Sequence, residues 1–282
     1  MRRRAIAAAL LPFAAGISCR AMINYQSPVA PRYAAALPVQ SVAFDTHASL
    51  PPLRVVTLNL KYARQVERAI YAFQSYVPLR GADVIMLQEM DAPATQRIAA
   101  AMGMAYVYYP AGVHPRTHRD FGNAILSRWP IIADQKLILP HLGRLRHGQR
   151  IATVANIQVG NETVRLYCLH LGTPSDIGWA QRRDQARVIL QDATTYPLVI
   201  VAGDMNSHGI GKEFRAAGFL WPTEHDAFTT AIFNWDHIFL KGFGMPPRAG
   251  AGVARDTLEL SDHFPVWVVA TPLSVAVGGG TK

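Results

Sequence analysis

The stretch Leu198-Val199-Ile200-Val201-Ala202-Gly203-Asp204-Met205-Asn206-Ser207-His208 is the segment around which the rest of the chain is organised. It begins as a continuous apolar run rich in β-branched residues, the pattern of a strand buried on both faces. The run stops at Gly203, and an acid and an amide follow at Asp204 and Asn206. A rigid strand that ends in such groups holds them at the mouth of a crevice. Taken alone, the motif is better explained as a strand followed by an Asx-rich turn.

The same pattern, an apolar run with polar residues at one end, recurs at five other predicted strands. For each isolated residue, a turn, a helix cap or a satisfied core histidine is the simpler explanation. Together, however, the six strand ends carry two histidines, four acids and two amides. These are the residue types that metal-assisted hydrolysis of a phosphate ester requires. The residues are Asn59, Glu89, His170, Asp204 with Asn206, Asp236, and Asp262 with His263.

Strand and helix patterns alternate from Leu53 onward without a second linker, which predicts one catalytic domain over residues 53–271. Helices are predicted over residues 64–79, 93–102 and 213–217, and another from Thr173, with Thr173 as its cap and Pro174 at its first position. A hairpin is predicted to turn at Gly160-Asn161.

The two ends of the chain have different compositions. Arg2 to Arg4 followed by an apolar segment predict an export leader over residues 1–20, too short to span a bilayer comfortably. Cys19 stands in a loose lipobox, so a lipid anchor and a plain signal peptide are both retained as hypotheses. Residues 21–52 are rich in Pro and Ala and predict a tether or a loosely packed arm, and residues 272–282 predict a flexible tail.

The protein is basic, with 28 Lys and Arg against 19 Asp and Glu in 282 residues and a formal net charge of +9. Such a charge fits a phosphate-bearing polyanion or an anionic membrane face. The two cysteines, Cys19 and Cys168, show no zinc-type spacing with histidine. The carboxylates and amides at the strand ends suit Mg²⁺ or Mn²⁺ rather than Zn²⁺.

Seven short motifs follow one another in order between Leu53 and Ala270. They are Thr57-Leu58-Asn59, Leu87-Gln88-Glu89, Gly122-Asn123-Ala124-Ile125-Leu126-Ser127-Arg128, Leu169-His170-Leu171, Gly203-Asp204-Met205-Asn206, Asp236-His237-Ile238-Phe239 and Ser261-Asp262-His263-Phe264-Pro265-Val266. Together they resemble the endonuclease/exonuclease/phosphatase family, the group of DNase I, exonuclease III, neutral sphingomyelinases and inositol-polyphosphate 5-phosphatases.

The resemblance implies an α/β (α+β) fold of the DNase I type. In this four-layer sandwich, two mostly antiparallel sheets lie face to face between helices, with the active site at one edge. It also implies a role for each matched residue. Glu89 is the principal metal ligand, assisted by Asn59 and Asp262; His263 is the catalytic histidine, oriented by Asp236; Asp204 and Asn206 position the water or the phosphate; and His170 contacts the phosphate or assists the leaving group. The family resemblance leaves open whether Asp204 or His263 takes the proton from water.

Two departures from the family's patterns narrow the choice of subfamily and therefore of substrate class. The exonuclease III type usually has an asparagine in the place of His170, and the inositol phosphatases carry a Trp-Cys-Asp-Arg signature where this chain has Asn234-Trp235-Asp236-His237. The prediction is therefore an exported phosphodiesterase, with nucleic acid as the first candidate substrate and no obligate protein partner evident. A sphingomyelinase-like phospholipase acting on membrane lipid, or a phosphatase, is the alternative. A catalytically silent binding module on the same fold ranks below both.

Overall fold

The computed structural model describes residues 21–37, 50–257 and 259–273. The predicted leader with Cys19, and residues 274–282 of the predicted tail, lie outside the described residues. The described part contains thirteen strands and four α-helices. The strands are β1 (Ile23–Asn24), β2 (Tyr33–Ala35), β3 (Leu53–Asn59), β4 (Val84–Met90), β5 (Ala105–Val113), β6 (Asp120–Ser127), β7 (Ile131–Ile138), β8 (Ile151–Val159), β9 (Glu162–His170), β10 (Val199–Asp204), β11 (Asp236–Lys241), β12 (Ala251–Val253) and β13 (Val266–Ala270); the helices are α1 (Val66–Ser75), α2 (Ala92–Met102), α3 (Trp179–Asp192) and α4 (Gly211–Ala216).

The strands form two sheets. The first has the order β1-β5-β6-β4-β3-β13-β12, with β2 paired to β5, and the second has the order β11-β10-β9-β8-β7. Only β3 with β4 and β9 with β10 run parallel among the described strand pairs; the other pairs are antiparallel. This arrangement confirms the predicted α/β sandwich of two mostly antiparallel sheets.

Three apolar clusters pack the four layers of the sandwich, two of helices and two of strands, against one another. The central cluster lies between the sheets, a second joins the first sheet to α1 and α2, and a third joins the second sheet to α3 and α4. Strand β10 contributes to two of them, because Ile200 and Ala202 belong to the central cluster while Val199 and Val201 belong to the helix side. Successive side chains of a strand point to opposite faces. The unbroken apolar run in β10 therefore reflects burial on both faces, as predicted.

The register of β10 positions the functional residues. Asp204 lies opposite His170 of β9 and opposite Asp236 of β11. Gly203 precedes it with a φ of +144°, and a Cβ at this position would lie 2.0 Å from the carbonyl oxygen of Leu169. Glycine is therefore required here for the close approach of β9 and β10.

Residues 21–37 of the predicted tether or arm pack along the first sheet, and residues 38–49 of it lie outside the described residues. Strands β1 and β2 both pair with β5, and the amide of Met22 donates to the carbonyl of Arg146 over 2.8 Å. Lys136 donates through Nζ to the carbonyls of Tyr25 and Ala30, at 3.2 and 2.9 Å. These contacts attach the arm to both β5 and the second sheet.

The predicted start of α3 is wrong. Thr173 and Pro174 lie in a turn in which the amide of Asp176 donates to the carbonyl of Thr173, and the helix begins only at Trp179. Arg182 of this helix is buried and donates through Nε to the carbonyl of Gly172 over 2.8 Å. Because the turn from Thr173 to Asp176 is closed by its own hydrogen bonds, the helix begins only after it.

Candidate active site

Polar residues from six strand ends meet at one edge of the sandwich, as the sequence predicts. Asn59, His170 and Asp204 end β3, β9 and β10, Glu89 lies one residue before the end of β4, and Asp236 begins β11. His263 lies three residues before β13. Each of the six is linked to another by a contact of 3.8 Å or less.

His263 and Asp236 form the strongest contact of the site. The Nδ1 atom of His263 lies 2.7 Å from Oδ2 of Asp236, which is fully buried. Burial lowers the pKa of His263, but the charges of Asp236 and Asp204 outweigh it and raise the pKa to about 10. The ring therefore carries both protons at neutral pH, with Nδ1–H donating to Asp236.

Asp204 lies at the centre of the network. Its Oδ2 accepts from Nδ2 of Asn59 over 3.1 Å and lies 3.5 Å from Nε2 of His170 and 3.8 Å from Nε2 of His263. Its Oδ1 accepts from the backbone amide of Asn206 over 2.8 Å. Burial, followed by the charge of Asp236, raises the pKa of Asp204 well above its ordinary value, so this carboxylate binds a proton more readily than an exposed one.

Glu89 is presented by an unusual backbone. Its φ is +59°, a left-handed conformation that costs a non-glycine residue free energy, and the register of β4 with β6 shifts between Leu87 and Met90. The carboxylate accepts from Nδ2 of Asn59 over 3.2 Å and from the amide of Tyr62 over 3.1 Å. Burial raises the pKa of Glu89. This bulge directs the carboxylate toward the site at the edge of the sheet.

His170 and Asn206 flank Asp204. The pKa of His170 is well below its ordinary value because the ring is buried, and the positive charges of Arg150 and His263 lower it further. Its Nδ1 is shielded and has no hydrogen-bond partner among the described residues. Asn206 has a φ of +48°, and its side-chain amide donates to the carbonyl of Leu171 over 3.0 Å. Both side chains lie beside the central carboxylate, and the hydrogen bond to Leu171 fixes that of Asn206.

Asp262, and two polar residues close in sequence to the site residues, do not join this network. Asp262, predicted to assist the metal, is half-exposed and pairs with Nζ of Lys61 over 2.8 Å, so its ligand role stays a prediction. His237 is fully buried and accepts at Nδ1 from Trp221, which makes it a core residue. Tyr167 donates its hydroxyl to Asp192 over 2.6 Å and is a buried strand tyrosine.

Sequence analysis missed two residues that face the site. The backbone amide of Tyr62 holds Glu89, in a run of left-handed residues from Lys61 to Ala63 that no sequence pattern predicts. Arg150, one residue before β8, lines the same cavity as Glu89. It follows a glutamine in a basic loop, and nothing in that loop distinguishes it from the other arginines.

The donor set fits a hard divalent cation. Glu89 and Asp204 are shielded carboxylates joined through the amide of Asn59, and oxygen ligands of this kind suit Mg²⁺ or Mn²⁺. Asp204, Asp236 and His263 also place possible ligand atoms within 4.8 Å of one another. In that second group, however, His263 is already engaged with Asp236 and retains its protons, so Glu89 is the better candidate for the principal ligand.

The comparisons with known proteins agree with this architecture. Residues 56–263 match the model of the Endonuclease/Exonuclease/phosphatase family. An endonuclease/exonuclease/phosphatase from Beutenbergia cavernae is 18% identical with a TM-score of 0.62, over 79% of this chain and 72% of that chain. The human nocturnin catalytic domain with bound sulfate anion is 17% identical with a TM-score of 0.60, over 80% and 96%. D. rerio TDP2 complexed with single strand DNA product is 18% identical with a TM-score of 0.58, over 78% and 99%.

The fold and its site define a class of phosphoric ester hydrolases that typically depend on a divalent metal. The chain belongs to the endonuclease/exonuclease/phosphatase family. A search of curated protein sequences finds no match. Within the described residues, no helix combines the length and the apolar character needed to cross a bilayer.

Proposed function

We propose that this protein is an exported, Mg²⁺- or Mn²⁺-dependent phosphodiester hydrolase of the nuclease type. The observation that carries the proposal is the buried Asp236–His263 pair facing Asp204, with Glu89 linked to Asp204 through Asn59. These groups supply a proton acceptor, a positive charge and a cation site within one network, which are the requirements for hydrolysing an anionic ester.

Asp204 is the proposed general base. Burial raises the pKa of Asp204 well above its ordinary value and makes the carboxylate a stronger base, while the charges of Asp236 and Asp204 raise the pKa of His263 and keep that ring protonated. Water attacks phosphorus, its proton passes to Asp204, and the bond from phosphorus to the leaving oxygen breaks. The protonated ring of His263 balances the charge that develops on the phosphoryl oxygens, as an oxyanion hole does. His170 is proposed to contact the phosphate beside Asp204.

Glu89 is the proposed carboxylate ligand of the metal, and Asn59 links it to the general base Asp204. A bound divalent ion offsets negative charge on the phosphoryl and leaving oxygens. Burial raises the pKa of Glu89, and a cation in contact with the carboxylate would oppose that shift and stabilise its charged form.

Nucleic acid is the proposed substrate class. The net charge of +9 favours a polyanion, and a structural relative, TDP2, is described with a single-strand DNA product. Export is proposed from the sequence of residues 1–20 alone. Cell fractionation tests it, with Cys19→Ser as the variant that releases the protein from the membrane fraction if the cysteine is lipidated.

The deciding experiment is metal-dependent hydrolysis by the chain from Ala21 onward, which retains the arm on the first sheet. DNA, RNA, sphingomyelin and a chromogenic phosphodiester are compared with Mg²⁺ and with EDTA. His263→Ala is the active-site variant, and His225→Ala is its control because that histidine is exposed. Cleavage of DNA or RNA that needs Mg²⁺ and His263 supports the proposal. Cleavage of sphingomyelin alone replaces the nuclease with a phospholipase, and no cleavage of any ester favours a silent binding module.

A further inference from the structure

A basic pocket adjoins the proposed metal ligand. It has a volume of about 280 Å³, and its lining includes Glu89, His114 and three arginines, Arg116, Arg146 and Arg150. The name arginine pocket is used below for the cavity lined by these three arginines. The carboxylate of Asp176 also lies in the lining but accepts from the hydroxyl of Thr173 over 3.2 Å. Positive groups therefore outnumber acids in a cavity that opens on the reaction site.

Arg150 has unused hydrogen-bonding capacity in this pocket. Its Nη1 is shielded from solvent and has no hydrogen-bond partner among the described residues. The guanidinium lies over the ring of Phe121, with Cζ 5.8 Å from the ring centroid. Leaving a shielded donor on a charged group unpaired is costly, and a bound anion would satisfy it.

The wall that carries Arg146 is fixed in place by the arm at residues 21–37. The carbonyl of Arg146 accepts from the amide of Met22 over 2.8 Å. The side chain of Asn24 accepts from the amide of Gln149 and donates to the carbonyl of His147, at 2.8 and 2.7 Å. These contacts hold the loop of residues 146–149 in a preformed shape.

His114 orients the guanidinium of Arg146 from the other side. Its Nε2 lies 3.3 Å from Nη1 of Arg146. Burial, followed by the charges of Arg146, Arg116 and Arg150, lowers the pKa of His114 to about 4, so at neutral pH the ring is uncharged and does not repel the guanidinium of Arg146. The arginine pocket is therefore organised before any ligand enters.

We propose that the arginine pocket binds a second phosphate of the substrate, next to the phosphate that is cleaved. Guanidinium groups match phosphate in charge and in hydrogen-bond geometry. The inference rests on the proposed function and narrows its substrate class to phosphodiesters that carry a further phosphate, as nucleotide chains do. The same charges repel the cationic choline of sphingomyelin, which has only one phosphate.

Two chromogenic esters with the same scissile bond test the proposal. One is thymidine 5′-(p-nitrophenyl phosphate), and the other is its 3′-phosphorylated form. The 3′-phosphate should raise kcat/KM about tenfold, the equivalent of one net charge-assisted hydrogen bond. Arg146→Gln should bring the ratio of the two kcat/KM values toward one, whereas Arg144→Gln, an exposed arginine of the same loop, should leave the ratio unchanged. The ratio is insensitive to a general loss of folded enzyme.

Metal-free calorimetry separates this inference from the proposed function. In EDTA, thymidine 3′,5′-bisphosphate should bind more tightly than thymidine 5′-monophosphate, and Arg146→Gln should remove the difference. If neither ester is hydrolysed but the binding preference is present, the pocket stands and the hydrolase proposal falls. Equal binding of the two nucleotides, or a kcat/KM ratio of one in the unaltered protein, overturns the pocket proposal whatever the activity.

Discussion

His263 and Asp236 are joined by a contact of 2.7 Å between Nδ1 and Oδ2, and the opposite ring nitrogen lies 3.8 Å from Oδ2 of Asp204. The two acids come from neighbouring strands, because Asp236 begins β11 directly opposite the last residue of β10. The sheet register therefore fixes both sides of the imidazole. A ring held in this way keeps its Nε2–H toward the reacting groups.

Asp236→Asn should lower kcat without a comparable change in KM. The amide leaves the ring close to its position but cannot stabilise the imidazolium, so the pKa of His263 should fall toward its ordinary value. We expect kcat to fall by about 10²–10⁴-fold, as for the loss of a positioned proton-transfer group. Steady-state kinetics and an NMR titration of His263 check both parts.

The control for this variant is Asp256→Asn, which removes an exposed carboxylate. It should retain full activity. A normal kcat in Asp236→Asn, with the pKa of His263 still raised, would show that Asp236 does not orient the ring.

Glu89→Gln should abolish tight Mg²⁺ binding, because the amide is neutral and a poorer ligand for a hard cation. EDTA should reduce the unaltered protein to the activity of this variant, and added Mg²⁺ should restore only the unaltered protein. Calorimetry with Mg²⁺ measures the binding directly. The same titration on Asp262→Asn tests the predicted assistance of Asp262, and its pairing with Lys61 leads us to expect a smaller loss.

Sequence analysis predicted those residues of the site that lie at the ends of strands. Asn59, His170 and Asp204 end apolar runs, and the termini of paired strands meet at one edge, so their proximity follows from the fold. Tyr62 and Arg150 lie in connecting loops, whose conformations depend on contacts between segments distant in sequence. The left-handed backbone of Glu89 arises from a bulge against β6, a tertiary effect that no local pattern predicts.

The same distinction explains the errors outside the site. Thr173 and Pro174 are favourable residues for a helix start, yet Thr173 is used in a turn with Asp176 and the helix starts at Trp179. Local propensity is a weak guide where tertiary contacts compete with it. The arm at residues 21–37 could not be assigned from composition, because its partners, β5 and Lys136, are distant in sequence.

His237 makes the stability of the fold sensitive to acid. It accepts from Nε1 of Trp221 over 3.2 Å at Nδ1, and its Nε2 lies 3.2 Å from the carbonyl of Asn234, so the buried ring is neutral. Burial, followed by the charge of His208, lowers its pKa to about 3. The unfolded chain has the ordinary value of about 6.5, so it binds the proton more tightly. The stability that the neutral ring of His237 contributes is therefore fully present above about pH 6.5, and it is lost as the pH falls from there toward 3.

Urea titrations at pH 7.5 and 4.5 measure this effect. The unaltered protein should lose about 3 kcal/mol through His237 between the two values, by proton linkage. His237→Gln, which preserves one donor and one acceptor, should show a correspondingly smaller difference between the two pH values. His225→Gln changes an exposed histidine and should lose as much stability as the unaltered protein. An equal loss in all three proteins would remove His237 as the cause.

Gly203→Ala should separate β9 from β10 and displace Asp204 from His170. The new Cβ would lie 2.0 Å from the carbonyl oxygen of Leu169, and the φ of +144° disfavours any side chain. We expect a loss of about 3 kcal/mol or more from strain and lost strand pairing together. Gly218→Ala is the matched control, because Gly218 also has a positive φ, +85°, but a Cβ there meets nothing within 4 Å. That variant should lose only about 1 kcal/mol and keep its activity. Urea titration and the kcat of both variants test this prediction. Equal losses of stability would show that backbone strain alone, rather than the contact with Leu169, explains the need for glycine at position 203.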